Sequence, residues 1–235
     1  MSNIAVIPIR SGSKRLPKKN YLPFNYRNLV EIALEKCVSA GVFDKIIITS
    51  DDNYFSKYAD GNSIFFLKRD LHLANDDAST DIVIDYLFEA LPDCENLLWV
   101  NSVSPLQTVD DIIKCSDKLN ETGVDGIMAV NTMYQHCILD GKPLNFDPQN
   151  AFEKTQDLEP VKRFVYSCMG WKRDAYVNSR KNGFKGLFPG NFNFVEVSYQ
   201  AGMLIKFEED FKIFEALERA LGLHPKIDLP NDNFV

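Results

Sequence analysis

Residues 7–20 read IPIRSGSKRLPKKN and gather Arg10, Lys14, Arg15, Lys18 and Lys19 around one glycine, Gly12. Cations and free backbone N–H groups on a short loop suit a polyphosphate. Chemistry on such a ligand needs positioning and charge neutralisation more than a covalent intermediate. The run stands against the chain's own balance, which is 26 basic to 33 acidic residues and a formal charge of -7. Two common phosphate loops are excluded. Gly12 is followed at once by Ser13 and Lys14, so Gly-x-x-x-x-Gly-Lys-Ser/Thr is absent, and a single glycine cannot make Gly-x-Gly-x-x-Gly. Composition alone leaves a solvated loop or a nuclear-targeting cluster as alternatives.

The elements that must carry this loop follow from periodicity. Nearly continuous apolar runs predict strands at Ile4–Ile9, Lys45–Ser50, Ser63–Leu67, Asn96–Ser102 and Gly126–Asn131. Helices fall between them. One is capped by Asn28 and Glu31, turns Val30, Ala33, Leu34, Cys37 and Val38 inward, and stops at Gly41. A second follows Ser79 with Val83, Tyr86, Leu87 and Ala90 inward, and a third follows Thr108 with Ile112, Ile113 and Leu119 inward. Alternating strands and helices predict a largely parallel doubly wound sheet, in which ligands sit beyond the carboxyl ends of the strands. The basic loop leaves such an end.

Residues 135–193 carry four prolines, several glycines and no long helical period, so an inserted subdomain of short strands and loops is expected there. Order resumes with strands at Asn193–Ser198 and Gly202–Lys206 and a helix from Phe207, with Gly222 and Pro225 as terminators. The chain of 235 residues, 45% hydrophobic, fits one domain with that insertion. Its acidity argues against nucleic acid as a partner. Five cysteines without a C-x-x-C pair, no apolar run near ~20 residues, and an opening Met-Ser-Asn unlike a signal peptide predict a cytoplasmic protein without a membrane span. His72, His136 and His224 lack metal-ligand spacing.

The loop resembles the N-terminal signature of the acylneuraminate cytidylyltransferases, Pro-Ala-Arg-x-Gly-Ser-Lys-x-x-Pro-x-Lys-Asn. Arg10, Gly12, Ser13, Lys14, Pro17, Lys19 and Asn20 match it, and Ile9 replaces the usual Ala. The similarity continues through IIITSDD (46–52), LANDDAS (73–79) and SPLQTVDDI (104–112). It implies a Rossmann-like nucleotidyltransferase sheet with an inserted, small β-rich dimerisation arm. The implied activity is transfer of CMP from CTP to an acidic, sialic-acid-like sugar with release of pyrophosphate, by a homodimer. By the same resemblance Arg10, Ser13, Lys14 and Lys19 would hold the triphosphate. Asn20 would lie beside the nucleotide, and Arg69 and Ser79 would line the base and ribose pocket. Arg15 and Lys18 are read as surface cations.

Departures fall on the acceptor and metal side. Asn101 and Gln107 stand where the family has Gln and Arg, and Met169-Gly170 is the expected counterpart of a family Asn-Gly pair that contacts the sugar. The family's two metal-binding aspartates correspond to Leu204 and Lys206. The resemblance therefore implies no protein metal ligands, with Mg2+ arriving on CTP, and Lys206 joining Arg10, Lys14 and Lys19 as catalytic cations. Two other readings stay open: a nucleotide-binding relative that has lost catalysis, and a dinucleotide oxidoreductase, which the missing glycine motif disfavours.

Overall fold

The computed structural model describes residues 2–75, 77–183 and 186–222. Its elements run β1 (Asn3–Pro8), α1 (Leu29–Ala40), β2 (Lys45–Ser50), β3 (Ile64–Lys68), α2 (Thr80–Ala90), β4 (Asn96–Val100), α3 (Val109–Asn120) and β5 (Gly126–Met133). After these come a small hairpin of β6 (Ile138–Leu139) and β7 (Lys142–Pro143), then β8 (Val161–Lys172), α4 (Arg173–Lys181), β9 (Phe192–Glu196) and α5 (Glu208–Leu221). Seven strands form one sheet in the order β3-β2-β1-β4-β8-β5-β9. All are parallel except β8, which runs antiparallel to both β4 and β5.

Both sheet faces are covered, so the central strands are apolar throughout. Ile4, Ala5, Val6 and Ile7 alternate faces and are all buried. On one side Ala5, Ile7, Ile48 and Leu98 pack on α1 and α3 through Val30, Leu34, Ile112 and Leu119. On the other, Val6, Ile47, Trp99 and Trp171 pack on α2 and on Tyr176 of α4. A third cluster joins Leu16 and Phe24 of the basic loop to Leu29 of α1, Ile205 and Phe211 of α5.

The helix starts follow the predicted chemistry. Asn28 Oδ1 accepts from the Val30 and Glu31 amides at 3.0 Å, and Glu31 returns a bond to the Asn28 amide at 2.7 Å. Such a cap stabilises by about 1 kcal/mol. Thr108 and Asp111 repeat the device on α3, and Gly41 ends α1 in the left-handed conformation, φ 64°.

Four expectations need correction. The stretch 135–193 is not all short strands and loops: β8, twelve residues long, runs through the middle of the sheet and α4 follows it directly. Only the part up to about residue 160 lies off the sheet. Gly202–Lys206 is not a strand. A 3-10 turn at Tyr199–Gly202 leads into loop, tied by the Ile205 amide to Val103 O at 2.9 Å rather than by a ladder. On α2 the inward set is Val83, Ile84, Leu87 and Phe88, while Ala90 is exposed. On α1, Val38 reaches solvent. Pro225 and His224 lie outside the described residues.

Candidate active site

The basic loop is fixed at both ends before it reaches any ligand. Ile9 extends β1 by one bond to Thr49 O, 2.8 Å. Asp51, just beyond β2, accepts from the Ser11 amide at 2.9 Å and from the Ser11 hydroxyl. At the far end Tyr21 donates to Asp52 at 2.6 Å. Leu16 is buried in the third apolar cluster. The cations between these anchors are therefore presented on a short, tethered loop at the carboxyl edge of β1.

That edge bounds a cleft of about 500 Å³. Arg10, Ser13, Lys14, Lys19, Asn20, Arg69, Asn101 and Lys206 all line it, so residues expected to act together are together. Arg15, assigned to the surface in the sequence, lines it too and lies over the Phe207 ring at 5.7 Å. Asn75, Thr80 and Ser102 complete polar parts of the wall. Six cationic side chains line the cleft and no carboxylate does, among the described residues. Such a field concentrates anions.

Each buried member has a physical role. Lys19 donates to Ile205 O at 2.9 Å, which ties the loop to the segment carrying Lys206. Burial, reinforced by Arg15 and Arg10 and opposed by Asp210, lowers the Lys19 ammonium from 10.5 to about 8. Arg69, 4% exposed, donates to Ile9 O at 2.6 Å. Burial lowers its pKa, with Asp51 opposing, and its Nε has no partner in the protein. An arginine keeps its proton in such a site, so the unsatisfied donor favours an anion. Asn20 accepts from Ser102 Oγ at 3.2 Å and donates to Arg10 O at 3.4 Å, bridging the loop to the end of β4.

Other predicted residues fall elsewhere. Ser79 is exposed at the head of α2, accepting from the Ile82 amide at 3.4 Å; Ala78 and Thr80 line the cleft on either side of it. Gln107 is 1% exposed and its amide donates to Cys168 Sγ at 3.0 Å, so it serves the core and does not reach the cleft. Asn101 lines the cleft, but its amide accepts from Trp99 Nε1 at 3.0 Å and donates to Tyr166 O. Met169 and Gly170 are deep in β8, where a Cβ on Gly170 would meet Leu119 at 2.8 Å, and neither lines this cleft.

A second cavity of about 410 Å³ abuts the first. Lys206 lines both, and among the described residues no other does. Arg163, Tyr166 and Phe207 are prominent in its wall. β8 enters the sheet from the side where β4 and β5 end, and this reversal brings its first residues to the active edge. A register shift in its pairing with β5 coincides with Tyr166 in the left-handed region, φ 52°. A bulky residue rarely adopts that conformation outside a functional or strained position. Arg163 bonds Asn131 Oδ1 at 3.3 Å, and its Nε is buried without a partner. The approach depends on Gly202, since a Cβ there would meet Arg163 Nη2 at 2.8 Å and also strike Asn131 Oδ1.

A cation-lined cleft at the carboxyl ends of parallel strands, with a second cavity opening beside it, defines an α/β protein that holds an anionic ligand next to a second binding space. The fold is shared with CMP:2-keto-3-deoxy-manno-octonic acid synthetase, solved with CTP, at a TM-score of 0.66 over 94% of this chain and 100% of that one, with 14% identity. It is also shared with 4-diphosphocytidyl-2C-methyl-D-erythritol synthase from Anaerococcus prevotii, at 0.65 over 93% and 99%, with 13% identity. The chain belongs to the cytidylyltransferase family, whose profile matches residues 4–167. It is 28% identical to the pseudaminic acid cytidylyltransferase of Campylobacter jejuni over 67% of this chain and 73% of that protein. It is 32% identical to the N-acylneuraminate cytidylyltransferase of Escherichia coli over 77% of this chain, which spans only 40% of that longer protein.

Proposed function

We propose that the protein transfers CMP from CTP to an acidic sugar, releasing pyrophosphate. The observation that carries the reading is the pair of abutting cavities, one lined by six cations and the other holding an arginine with an unpartnered buried donor. The first suits a triphosphate. In the second, Arg163 offers a guanidinium edge to a carboxylate, and Tyr166, Tyr199 and Phe207 offer apolar surface to acyl or deoxy positions of the sugar. The names of the Campylobacter and Escherichia relatives point to the same acceptor class. Within this reading Arg10, Ser13, Lys14, Lys19 and Arg69 hold the phosphates, and Asn20 sets the loop beside the nucleotide.

Two finer features belong to the proposal. The off-sheet part of residues 135–160 serves as a dimerisation arm: Ile138, Leu139, Leu144 and Phe152 are exposed there, and Phe152 stacks on His136 at 4.2 Å. Trp171 of β8 is fully buried and takes no part. The protein acts in the cytoplasm. All five cysteines are free thiols, and no helix among the described residues is long and apolar enough to cross a membrane.

The test is pyrophosphate release from CTP, UTP, ATP and GTP in the presence of pseudaminic acid, N-acetylneuraminic acid and neutral hexoses. Release with CTP and an acidic sugar is expected. Equal release with neutral sugars, or preference for another nucleotide, would overturn the reading. CTP binding with no release for any acceptor would mark a nucleotide-binding relative without catalysis.

A further inference from the structure

Nucleotidyl transfer places negative charge on the α-phosphate as the acceptor oxygen arrives and pyrophosphate departs. A divalent ion held by protein carboxylates is one way to offset that charge. The donor set here does not fit it. No carboxylate lines the nucleotide cleft among the described residues. The acid in the wall of the second cavity, Asp210, has one oxygen engaged: its Oδ2 accepts from the Lys206 amide at 2.8 Å and the Phe207 amide at 2.9 Å, capping α5. Among the described residues no group of three or more His, Cys, Asp or Glu is placed to hold a metal.

What occupies the position between the two cavities is a lysine. The Lys206 backbone is held on three sides: through its own amide by Asp210, and through Ile205, whose amide donates to Val103 O at 2.9 Å and whose carbonyl accepts from Lys19 Nζ at 2.9 Å. Ile205 itself is fully buried beside Leu16 and Phe211. The side chain, by contrast, is exposed and makes no hydrogen bond or ion pair among the described residues. It is thus an exposed cation on a fixed base, and it lines both cavities.

We propose that Lys206 is a catalytic residue that binds the α-phosphate and supplies the charge a protein-held divalent ion would otherwise supply there. The inference rests on the cytidylyltransferase reading. An acceptor hydroxyl in the second cavity attacks the α-phosphorus as the bond from that phosphorus to the bridging oxygen of the β-phosphate breaks. The electron pair leaves on pyrophosphate, the hydroxyl proton passes to solvent water, and the ammonium donates to the non-bridging α-oxygens throughout. The lysine keeps its proton and is unchanged at the end. A magnesium ion carried by the triphosphate itself is compatible with this role, since it needs no protein carboxylate.

Phosphorus NMR of CTP bound to the full-length protein separates this role from a surface lysine without requiring turnover. In the wild type the α-phosphate resonance is expected to shift on binding. In Lys206→Ala that shift is lost while the β and γ resonances move as before, and Lys206→Arg restores part of it. Single-turnover CMP transfer should fall about 100-fold in Lys206→Ala, with CTP affinity changed by less than about threefold. Manganese relaxation should show no stoichiometric metal site in the nucleotide-free protein. An α-phosphate shift unchanged in Lys206→Ala, transfer within about threefold of wild type, or a stoichiometric manganese site without nucleotide would each overturn the proposal alone. Failure of the wild type to bind CTP would sink it together with the functional reading.

Discussion

Lys19 carries the most testable electrostatics of any single residue. A bound triphosphate favours the protonated amine, so its lowered pKa of about 8 links CTP binding to proton uptake above that pH. Affinity should be nearly flat up to about pH 7, lose about half by pH 8 and then fall by roughly tenfold per pH unit at most. Calorimetry in buffers of different ionisation heat would show the uptake. Lys19→Ala should weaken CTP by ~1.5–3 kcal/mol near pH 7 and flatten the profile; a variant with the wild-type profile would acquit Lys19. Gly12 makes a different point. It has no positive φ, and an added Cβ would meet nothing within 4 Å, so the fold does not require glycine there. Within the proposed function, a triphosphate held by the neighbouring Arg10, Ser13 and Lys14 passes close to this open space. Gly12→Ala should melt within about 0.5 kcal/mol of wild type yet bind CTP more weakly; equal binding would refute this. The cations of the loop were legible because charge and spacing sit in one short run. Arg163 and Tyr166 were not, since they reach the site only through the reversed direction of β8. Gln107 misled because a polar side chain in a matching segment can turn into the core and bond a thiol.

At the scale of elements, α1 carries an unusual burden. Lys36 is 2% exposed and donates to Pro105 O, in the loop that follows the cleft-lining residues at the end of β4. Burial lowers its pKa from 10.5 to about 7. The folded pKa is lower than the unfolded one, so between about pH 7 and 10 the unfolded chain binds more protons and stability rises with pH. Below about pH 7 the cost of the buried charge is fully present. Lys36→Met should therefore raise the melting temperature most near pH 6, and the gain should shrink toward pH 9. A pH-independent difference would exclude this account. The βα alternation was readable because strands covered on both faces are continuous apolar runs and their helices are capped by Asn28, Ser79 and Thr108. β8 escaped because it mixes two patterns. Lys162, Phe164 and Tyr166 are exposed alternately with more buried neighbours, whereas Ser167–Trp171 is buried without a break. Neither a period of two nor a single apolar run describes the whole strand.

At the scale of the molecule, the arm and the aromatic surface set the expected assembly. Phe164 and Phe194 stack at 5.7 Å on the outer part of the sheet, with Phe188 and Phe192 adjoining, and each of Phe164, Phe188 and Phe194 remains at least a third exposed. With Ile138, Leu139 and Phe152 these are large apolar side chains left in water, the material of a contact between copies. Sedimentation at micromolar concentration should show a dimer, and replacing Ile138, Leu139 and Phe152 by serine should give a monomer that stays folded; a wild-type monomer would dismiss the arm's role. The late arrival of β8 has a consequence for synthesis. β4 and β5 leave the ribosome with a gap between them, and the strand that fills it, by pairing Asn96–Val100 with Cys168–Lys172 and Gly126–Met133 with Val161–Trp171, is made dozens of residues later. Until then each presents an open, apolar edge. Nascent chains halted near residue 160 should bind chaperones and precipitate on release, while those halted beyond β9 should not. The strand that carries Arg163 to the site is the same one whose translation lets the sheet close.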